Sequence, residues 1–384
     1  MNVPKLRFKE FKDEWSTIEL SKISSEISYG MGLPSKEYDG INKYIRITDI
    51  DENTSKYTNK DIVSPDGELE DKYIVKKNDI LFARTGASTG KTYLYDKKDG
   101  KLYYAGFLIK ANIINHDANF IFQQTHTSKY NKWIKVMSMR SGQPGINSQE
   151  YGSYKFSITS KTEEYKISKT LQLLDKKIEL QTKKIEDLKL FKLYTKNQIF
   201  KDYDEIFKLK DILVKWNKKN KNNSVKYVES ISNKYGFISQ SDQFEDRNVA
   251  SKDLSNYYII EKGVFGYNPS RLNVGSLALK TNDKVSVVSP LYECFTTSQN
   301  NQYLLEWFDS KYFRKETISK FEGGVRNTLN FSNLCEIKIG LPTIEKQNKY
   351  SRIFKIFNNK IEFEVKKLYK LQELKKGLMQ SMFV

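Results

Sequence analysis

Gly86-Ala-Ser-Thr-Gly90-Lys91-Thr92 comes nearest in this chain to a phosphate-binding loop. A P-loop places four residues between its glycines so that successive amides wrap a phosphate, and opens a helix directly afterwards. Here three residues separate the glycines, and Tyr93-Leu-Tyr-Asp-Lys-Lys-Asp-Gly runs toward a turn. The segment reads instead as a glycine-permitted turn after the short strand KNDILFA, presenting Arg84, Thr85, Ser88 and Lys91. Asn268-Pro-Ser-Arg271 has the first half of the Asn/Asp-Pro-Pro-aromatic loop of amino methyltransferases, but lacks the second proline, the stacking aromatic and a preceding glycine-rich cofactor loop. Two cysteines (Cys294, Cys335) and two histidines (His116, His126) form no metal-ligand spacing and no triad. Neither a catalytic apparatus nor a metal site is expected.

The remaining polar clusters suit recognition. Arginine pairs bidentately with guanine, and asparagine or glutamine with adenine. Arg140, Ser141, Gln143 and Asn147 form one such cluster around a glycine turn, and Arg326, Asn327, Thr328 and Asn330 form its counterpart. Asn268 and Arg271 belong to a similar loop, and Lys218, Lys219 and Lys221 in WNKKNKNN suit phosphates. Any one of these residues could equally be a solvated loop side chain. Their paired occurrence is what two readers would need.

What positions them is a repeat. LQLLDKKIELQTKKIEDLKLFKLYTKNQIF (171–200) matches FKIFNNKIEFEVKKLYKLQELKKGLMQSMF (354–383) along its whole length. The apolar pairs Leu171/Phe354, Leu174/Phe357, Ile178/Ile361, Ile185/Leu368, Leu188/Leu371 and Phe200/Phe383 are each 183 residues apart. Residues 163–200 and 344–383 contain almost no glycine or proline, Gly377 being the exception. Their 3-4 spacing predicts two helices of ~57 Å with an apolar seam along one face, each the natural partner of the other. Gln181 and Glu364 break the seam at equivalent positions, and in an antiparallel pair they would face each other and fix the register; a solvated position where the stripe drifts is the plainer alternative.

Residues 1–160 and 202–342 read differently, rich in Tyr, Ile, Val and Phe, with alternating runs such as KYIRITDI (43–50), KNDILFAR (77–84) and KYVESIS (226–232). The predicted organisation is α+β: a recognition domain (1–160), a long helix (161–201), a second recognition domain (202–342) and a second long helix (343–384), with the helices packed as an antiparallel coiled coil in a pseudo-two-fold repeat. Lys and Arg outnumber Asp and Glu 65 to 47, a net charge of +18, which favours a polyanionic partner. No apolar run is long enough to span a membrane and MNVPKLRFKEFKDEW has no export-signal pattern, so a cytoplasmic protein is expected.

The alternation of two variable domains with two similar helices, together with Ile-Leu-Phe-Ala-Arg-Thr-Gly-x-x-x-Gly-Lys (80–91), Ile-Gly-Leu-Pro-Thr-Ile-Glu-Lys-Gln (339–347) and the helix segments 173–178 and 374–383, resembles the specificity subunit of type I restriction-modification enzymes. The first domain ends Ile-Thr-Ser-Lys-Thr-Glu-Glu (158–164), without the family's usual proline. The resemblance implies a non-catalytic subunit in which each globular domain reads one half of a bipartite, asymmetric site on double-stranded DNA. The helices would set the spacing and dock two methyltransferase subunits, joined by restriction/translocase subunits. S-adenosylmethionine, ATP and magnesium would then belong to those partners. A coiled-coil scaffold joining two protein-binding domains is the alternative from another class.

Overall fold

Residues 161–199 contain neither glycine nor proline, and Glu163 and Glu164 place negative charge against the positive end of the helix dipole. Pro342, which cannot continue a helix, stands just before a second such segment. In a computed structural model of the chain, which describes residues 3–139, 142–232, 235–240, 253–274, 276–318 and 328–384, both are single long helices.

In chain order the first globular segment holds strands β1 (Ser16–Glu19), β2 (Ser24–Tyr29), β3 (Ser35–Glu37), β4 (Lys43–Ile45), β5 (Val63–Pro65), β6 (Asp79–Ala83), β7 (Thr92–Leu94), β8 (Leu102–Tyr104), β9 (Leu108–Ile113) and β10 (Lys155–Ile158). Its helices are α1 (Ala118–Gln124), α2 (Ser128–Met137) and α3 (Ser148–Gly152), and the 39-residue α4 (Lys161–Ile199) follows. The second segment holds β11 (Glu205–Lys208), β12 (Leu213–Lys215), β13 (Glu229–Ser232), β14 (Gly236–Ser239), β15 (Tyr258–Ile260), β16 (Phe265–Tyr267), β17 (Leu277–Leu279), β18 (Ser286–Val288), β19 (Glu293–Thr297) and β20 (Lys338–Leu341). With these come α5 (Asn301–Phe308), α6 (Lys311–Ile318) and α7 (Phe331–Cys335), before the 38-residue α8 (Ile344–Ser381).

Two compact units result: unit 1 is Met1–Thr182 with Lys366–Val384, and unit 2 is Lys183–Val365. Each contains one globular segment and about half of each long helix. In unit 2 the helix halves run antiparallel, because Lys184 meets Glu364 at 2.9 Å while Lys192, farther along α4, meets Asn358, earlier on α8, at 2.7 Å. In unit 1 Asp175 meets Lys375 at 2.6 Å, and Met379 near the end of α8, with Met382 and Phe383 just beyond it, clusters with Ile167 and Leu171 near the start of α4.

Unit 1 is built on an antiparallel sheet ordered β2-β9-β6-β7, with Ile80 opposite Ala111 and Phe82 opposite Ile109. Unit 2 repeats the plan as β12-β19-β16-β17, with Phe265 opposite Phe295. A strand pair ties the start of each globular segment to its end, β1 with β10 and β11 with β20. The starts of α1 and α5, α2 and α6, α3 and α7, and β10 and β20 are all 183 residues apart. The repeat therefore reaches well beyond the helices in which the sequence shows it most clearly. Divergence is concentrated in the outer strands, β3–β5 and the parallel pair β4–β8 in unit 1, β13–β14 and β15–β18 in unit 2.

The seam positions Leu171, Leu174, Ile185 and Phe354 are buried, and Ile178, Leu188, Phe357, Ile361, Leu368 and Leu371 half-buried. The seam's outer ends do more than join helix to helix. Leu171 shares a core with Trp15, Phe82, Phe120, Tyr151 and Phe156, and Phe354 one with Phe200, Phe265, Phe295, Tyr303 and Trp307. Burying one such phenylalanine is worth about 1.5–3 kcal/mol, so each globular segment is anchored on the helix halves by its own core. Gln181 and Glu364 fall in different units. Within unit 2, Glu364 is 1% exposed and held by Lys184 and Lys360.

Candidate nucleic-acid interface

In unit 1, β6 delivers Arg84 at its C-terminal end, and the chain then turns through a single 3-10 turn, Gly86–Ser88, into β7. The segment thus joins two antiparallel strands. No helix follows it, so its amides are not arranged around a phosphate as a P-loop's are. Gly90 sits at φ +92°, and a Cβ there would lie 2.7 Å from Ile134, so this corner requires glycine.

The turn is paired with the second polar segment of the same unit. Thr85 bridges Gly145, Gly86 N–H donates to the Pro144 carbonyl at 2.9 Å, and Ile146 N–H to the Arg84 carbonyl at 2.9 Å. Arg84, Thr85, Ser88, Gln143 and Asn147 are thereby brought together, Gln143 and Asn147 exposed and the first three half-buried. Lys91 closes the turn through its own backbone and is half-buried. Arg140 and Ser141 lie outside the described residues.

Arg84 is the best-defined side chain here. Its Nε donates to the Gly106 carbonyl at 3.0 Å and its guanidinium lies over the Tyr29 ring at 4.9 Å. Among the described residues neither Nη nitrogen has a hydrogen-bond partner. The Tyr29 hydroxyl accepts the Ser148 N–H at 3.0 Å. Burial works to raise that hydroxyl, but the Ser148 bond and the Arg84 charge bring it below its ordinary value. Tyr29, and Phe107, whose backbone carbonyl accepts the Arg84 N–H, are 41% and 56% exposed, so two exposed aromatic residues lie close to the arginine's segment. Neither residue is among those the sequence pattern singles out. Tyr29-Gly30-Met-Gly32, an aromatic at a strand end before a glycine turn, was the available signal.

Asn147 takes a different part from that expected. Its side-chain oxygen accepts the Glu150 N–H at 2.8 Å while Glu150 accepts the Asn147 N–H, a capping box at the start of α3. In unit 2 Asn330 caps α7 likewise, accepting from Asn333 N–H at 2.8 Å. Through these caps Asn147 and Asn330 order the loops on which they stand.

Unit 2 assembles the equivalent pair of segments. Leu329, 183 residues on from Ile146, donates its N–H to the Pro269 carbonyl at 3.1 Å, bringing Asn268 and Arg271 beside Thr328 and Asn330. Asn268 organises its turn by accepting Ser270 N–H at 3.0 Å, and Arg271 is exposed. Arg326 and Asn327 lie outside the described residues. Lys218, Lys219 and Lys221 sit on a separate loop fastened by the buried Asn220, which bonds Val225 and Leu254. Lys218 is paired with Glu261, Lys219 lies over the Tyr258 ring and Lys221 is exposed. Among the described residues no hydrogen bond or ion pair joins this loop to the Asn268 and Thr328 segments.

Residues 13–190 match a family described as the type I restriction modification DNA specificity domain. By that match, residues 13–190 are similar to a type I restriction-modification DNA specificity domain. A protein of Methanocaldococcus jannaschii named as the specificity subunit of the MjaX type I restriction enzyme is 25% identical over 199 residues, 47% of this chain and 45% of that relative. The chain thus spans less than half the length of that curated relative. The fold is similar to that of the S subunit of a type I restriction-modification system from M. genitalium, with a TM-score of 0.63 at 14% identity, covering 100% of this chain and 99% of that one. A chain from a structure of a type I R-M system, concerned with complex assembly and conformational transition, aligns at a TM-score of 0.55 and 14% identity, covering 96% and 97%. The described specificity domain ends within α4, yet unit 2 repeats its sheet order, strand tie and capped helices. By fold, unit 2 repeats unit 1. No helix among the described residues is long and apolar enough to cross a membrane, and none of their His, Cys, Asp and Glu side chains group into a metal site.

Proposed function

We propose that this chain is the non-catalytic DNA-recognition subunit of a cytoplasmic type I restriction-modification assembly, each unit reading one half of a bipartite, asymmetric site on duplex DNA. The observation that carries the reading is one scaffold used twice with different surface residues: both units share one sheet order, and the segments around Arg84 and Gly145 in unit 1, and around Arg271 and Thr328 in unit 2, are each joined by a backbone bond donated from equivalent residues, Ile146 and Leu329. Equivalent scaffolds give two readers, and unlike side chains give an asymmetric target. The excess of basic residues supplies the sequence-independent attraction to phosphates.

Docking of two methyltransferase subunits is supported by what the helix halves leave exposed. Unit 1 displays Leu173, Leu180 and Leu374, and unit 2 displays Ile356, Phe363 and Phe191, the same three positions 183 residues apart. Apolar side chains held outside the core at matching places suit two copies of one partner. Methyl transfer, ATP-driven motion and cleavage, with their S-adenosylmethionine, ATP and magnesium, fall to those partners and to the restriction/translocase subunits.

Lengthening both helices by one turn tests this reading. Four residues add about 6 Å, roughly two base pairs at 3.4 Å each, so the unread spacer of the preferred site is expected to lengthen while both half-sites stay the same. An unchanged spacer would overturn the ruler. Binding to duplex DNA that does not weaken as salt rises would favour a protein-binding scaffold instead.

A further inference from the structure

Each unit contains one three-residue polar lock between its globular segment and the two long helices, and the two locks carry their charge in opposite places. In unit 1, Gln123 of α1 donates to Asp175 of α4 at 3.1 Å, and Lys375 of α8 pairs with the same carboxylate at 2.6 Å. In unit 2, Glu306 of α5 accepts from Lys192 of α4 at 2.9 Å and from Asn358 of α8 at 3.1 Å, and Lys192 also donates to Asn358 at 2.7 Å. Gln123 and Glu306, Asp175 and Asn358, and Lys192 and Lys375 are each 183 residues apart. Each lock therefore has one carboxylate, one amide and one ammonium. Unit 1 puts the carboxylate on the helix frame and the amide on the globular segment, and unit 2 reverses them.

Gln123 and Glu306 are 2% and 5% exposed, so a mismatch would be felt. Glutamine facing the Asn358 frame would leave Lys192 without its carboxylate, and glutamate facing the Asp175 frame would set two carboxylates on one ammonium. Burial pushes the Glu306 carboxyl up, and Lys196 and Lys192 outweigh that and hold it below its ordinary value. Lys196, at 3.1 Å from Glu306, has no counterpart lysine in unit 1, where Met379 stands, and it keeps a second partner in Asp309 at 2.8 Å.

We infer that residues 123/175 and 306/358 form a docking code that seats each recognition segment on its own helix pair and decides which segment fits which position. These are positioning residues, and the inference rests on the proposed function only in treating the seated segments as DNA readers.

The test is a pair of exchanges in the full chain: Glu306→Gln, Asn358→Asp and the double variant, with Gln123→Glu, Asp175→Asn and their double as the mirror set. Each single variant is expected to lower the melting temperature, the changes at buried Glu306 and Gln123 by on the order of 5–15 °C and those at half-buried Asn358 and Asp175 by less. Each double variant, which rebuilds the other unit's lock, should recover most of that loss and restore affinity for the half-site read by that unit. A single variant that fails to fold while its double folds is the same result in stronger form. Doubles no better than the sum of their singles, or singles without effect, overturn the code. Thermal rescue with no DNA phenotype would leave the code standing and count against the proposed function instead.

Discussion

Replacing Arg84 with lysine keeps the charge and removes the plane, which makes it an informative perturbation of the unit 1 interface. The folded state loses the Nε bond to Gly106, worth about 1 kcal/mol, and the stack on Tyr29, worth about 0.5–1 kcal/mol. A stability loss of about 1–2 kcal/mol is therefore expected, and binding is best measured at 25 °C after circular dichroism confirms folding. If the Nη nitrogens pair with a guanine, the cognate site should lose about 1–3 kcal/mol, roughly 5- to 150-fold in Kd. The loss should be confined to one base pair of one half-site, with the salt slope unchanged. Fluorescence anisotropy on duplexes substituted at each position, repeated at three salt concentrations, reads both quantities. Equal weakening on every duplex would make Arg84 a phosphate contact. Unchanged affinity and preference would refute its place in the interface and leave it a purely structural residue.

Gly377 lies in α8, and a Cβ there meets nothing within 4 Å, so Gly377→Ala is expected to raise stability by about 0.5–1 kcal/mol in urea denaturation. Asn147→Ala and Asn330→Ala each remove a helix cap and should cost about 0.5–2 kcal/mol, with Asn→Asp retaining most of it. His126 bonds Ser55 and the Phe122 carbonyl, and burial, aided by the Lys375 charge, holds it down to about 4 against an ordinary 6.5. The unfolded chain takes up a proton that the folded chain refuses between those values. Stability from this group is thus whole above pH ~6.5 and falls toward pH ~4, by at most about 3 kcal/mol. His126→Gln should flatten that part of the stability profile relative to the parent chain.

The long helices were legible because their signal is local: no breakers in 161–199, one glycine in 344–381 and an apolar residue every three or four positions. The strands were less so. KYIRITDI looks like one strand but yields only Lys43–Ile45, because Arg46 and Asp49 bond each other across a 3-10 turn that the alternation does not show. KYVESIS likewise narrows to Glu229–Ser232. The capping role of Asn147 is readable from Asn-Ser-Gln-Glu (147–150), a capping-box pattern. Pairing of the Arg84 and Gly145 segments was not readable, since it depends on backbone bonds between residues some sixty apart. The charge exchange between Gln123/Asp175 and Glu306/Asn358 needs both the offset of 183 and knowledge of which side chains meet.

The most direct test of the central claim is a methylome. A host carrying this chain with its methyltransferase subunits would be sequenced for modified bases, beside one in which residues 202–342 have been exchanged for another second-position domain carrying glutamate at the Glu306 position. The first should show one bipartite, asymmetric motif, and the second the same motif with a single half changed and the spacer retained. A continuous motif, or an exchange that alters both halves, would contradict two independent readers on one helical frame.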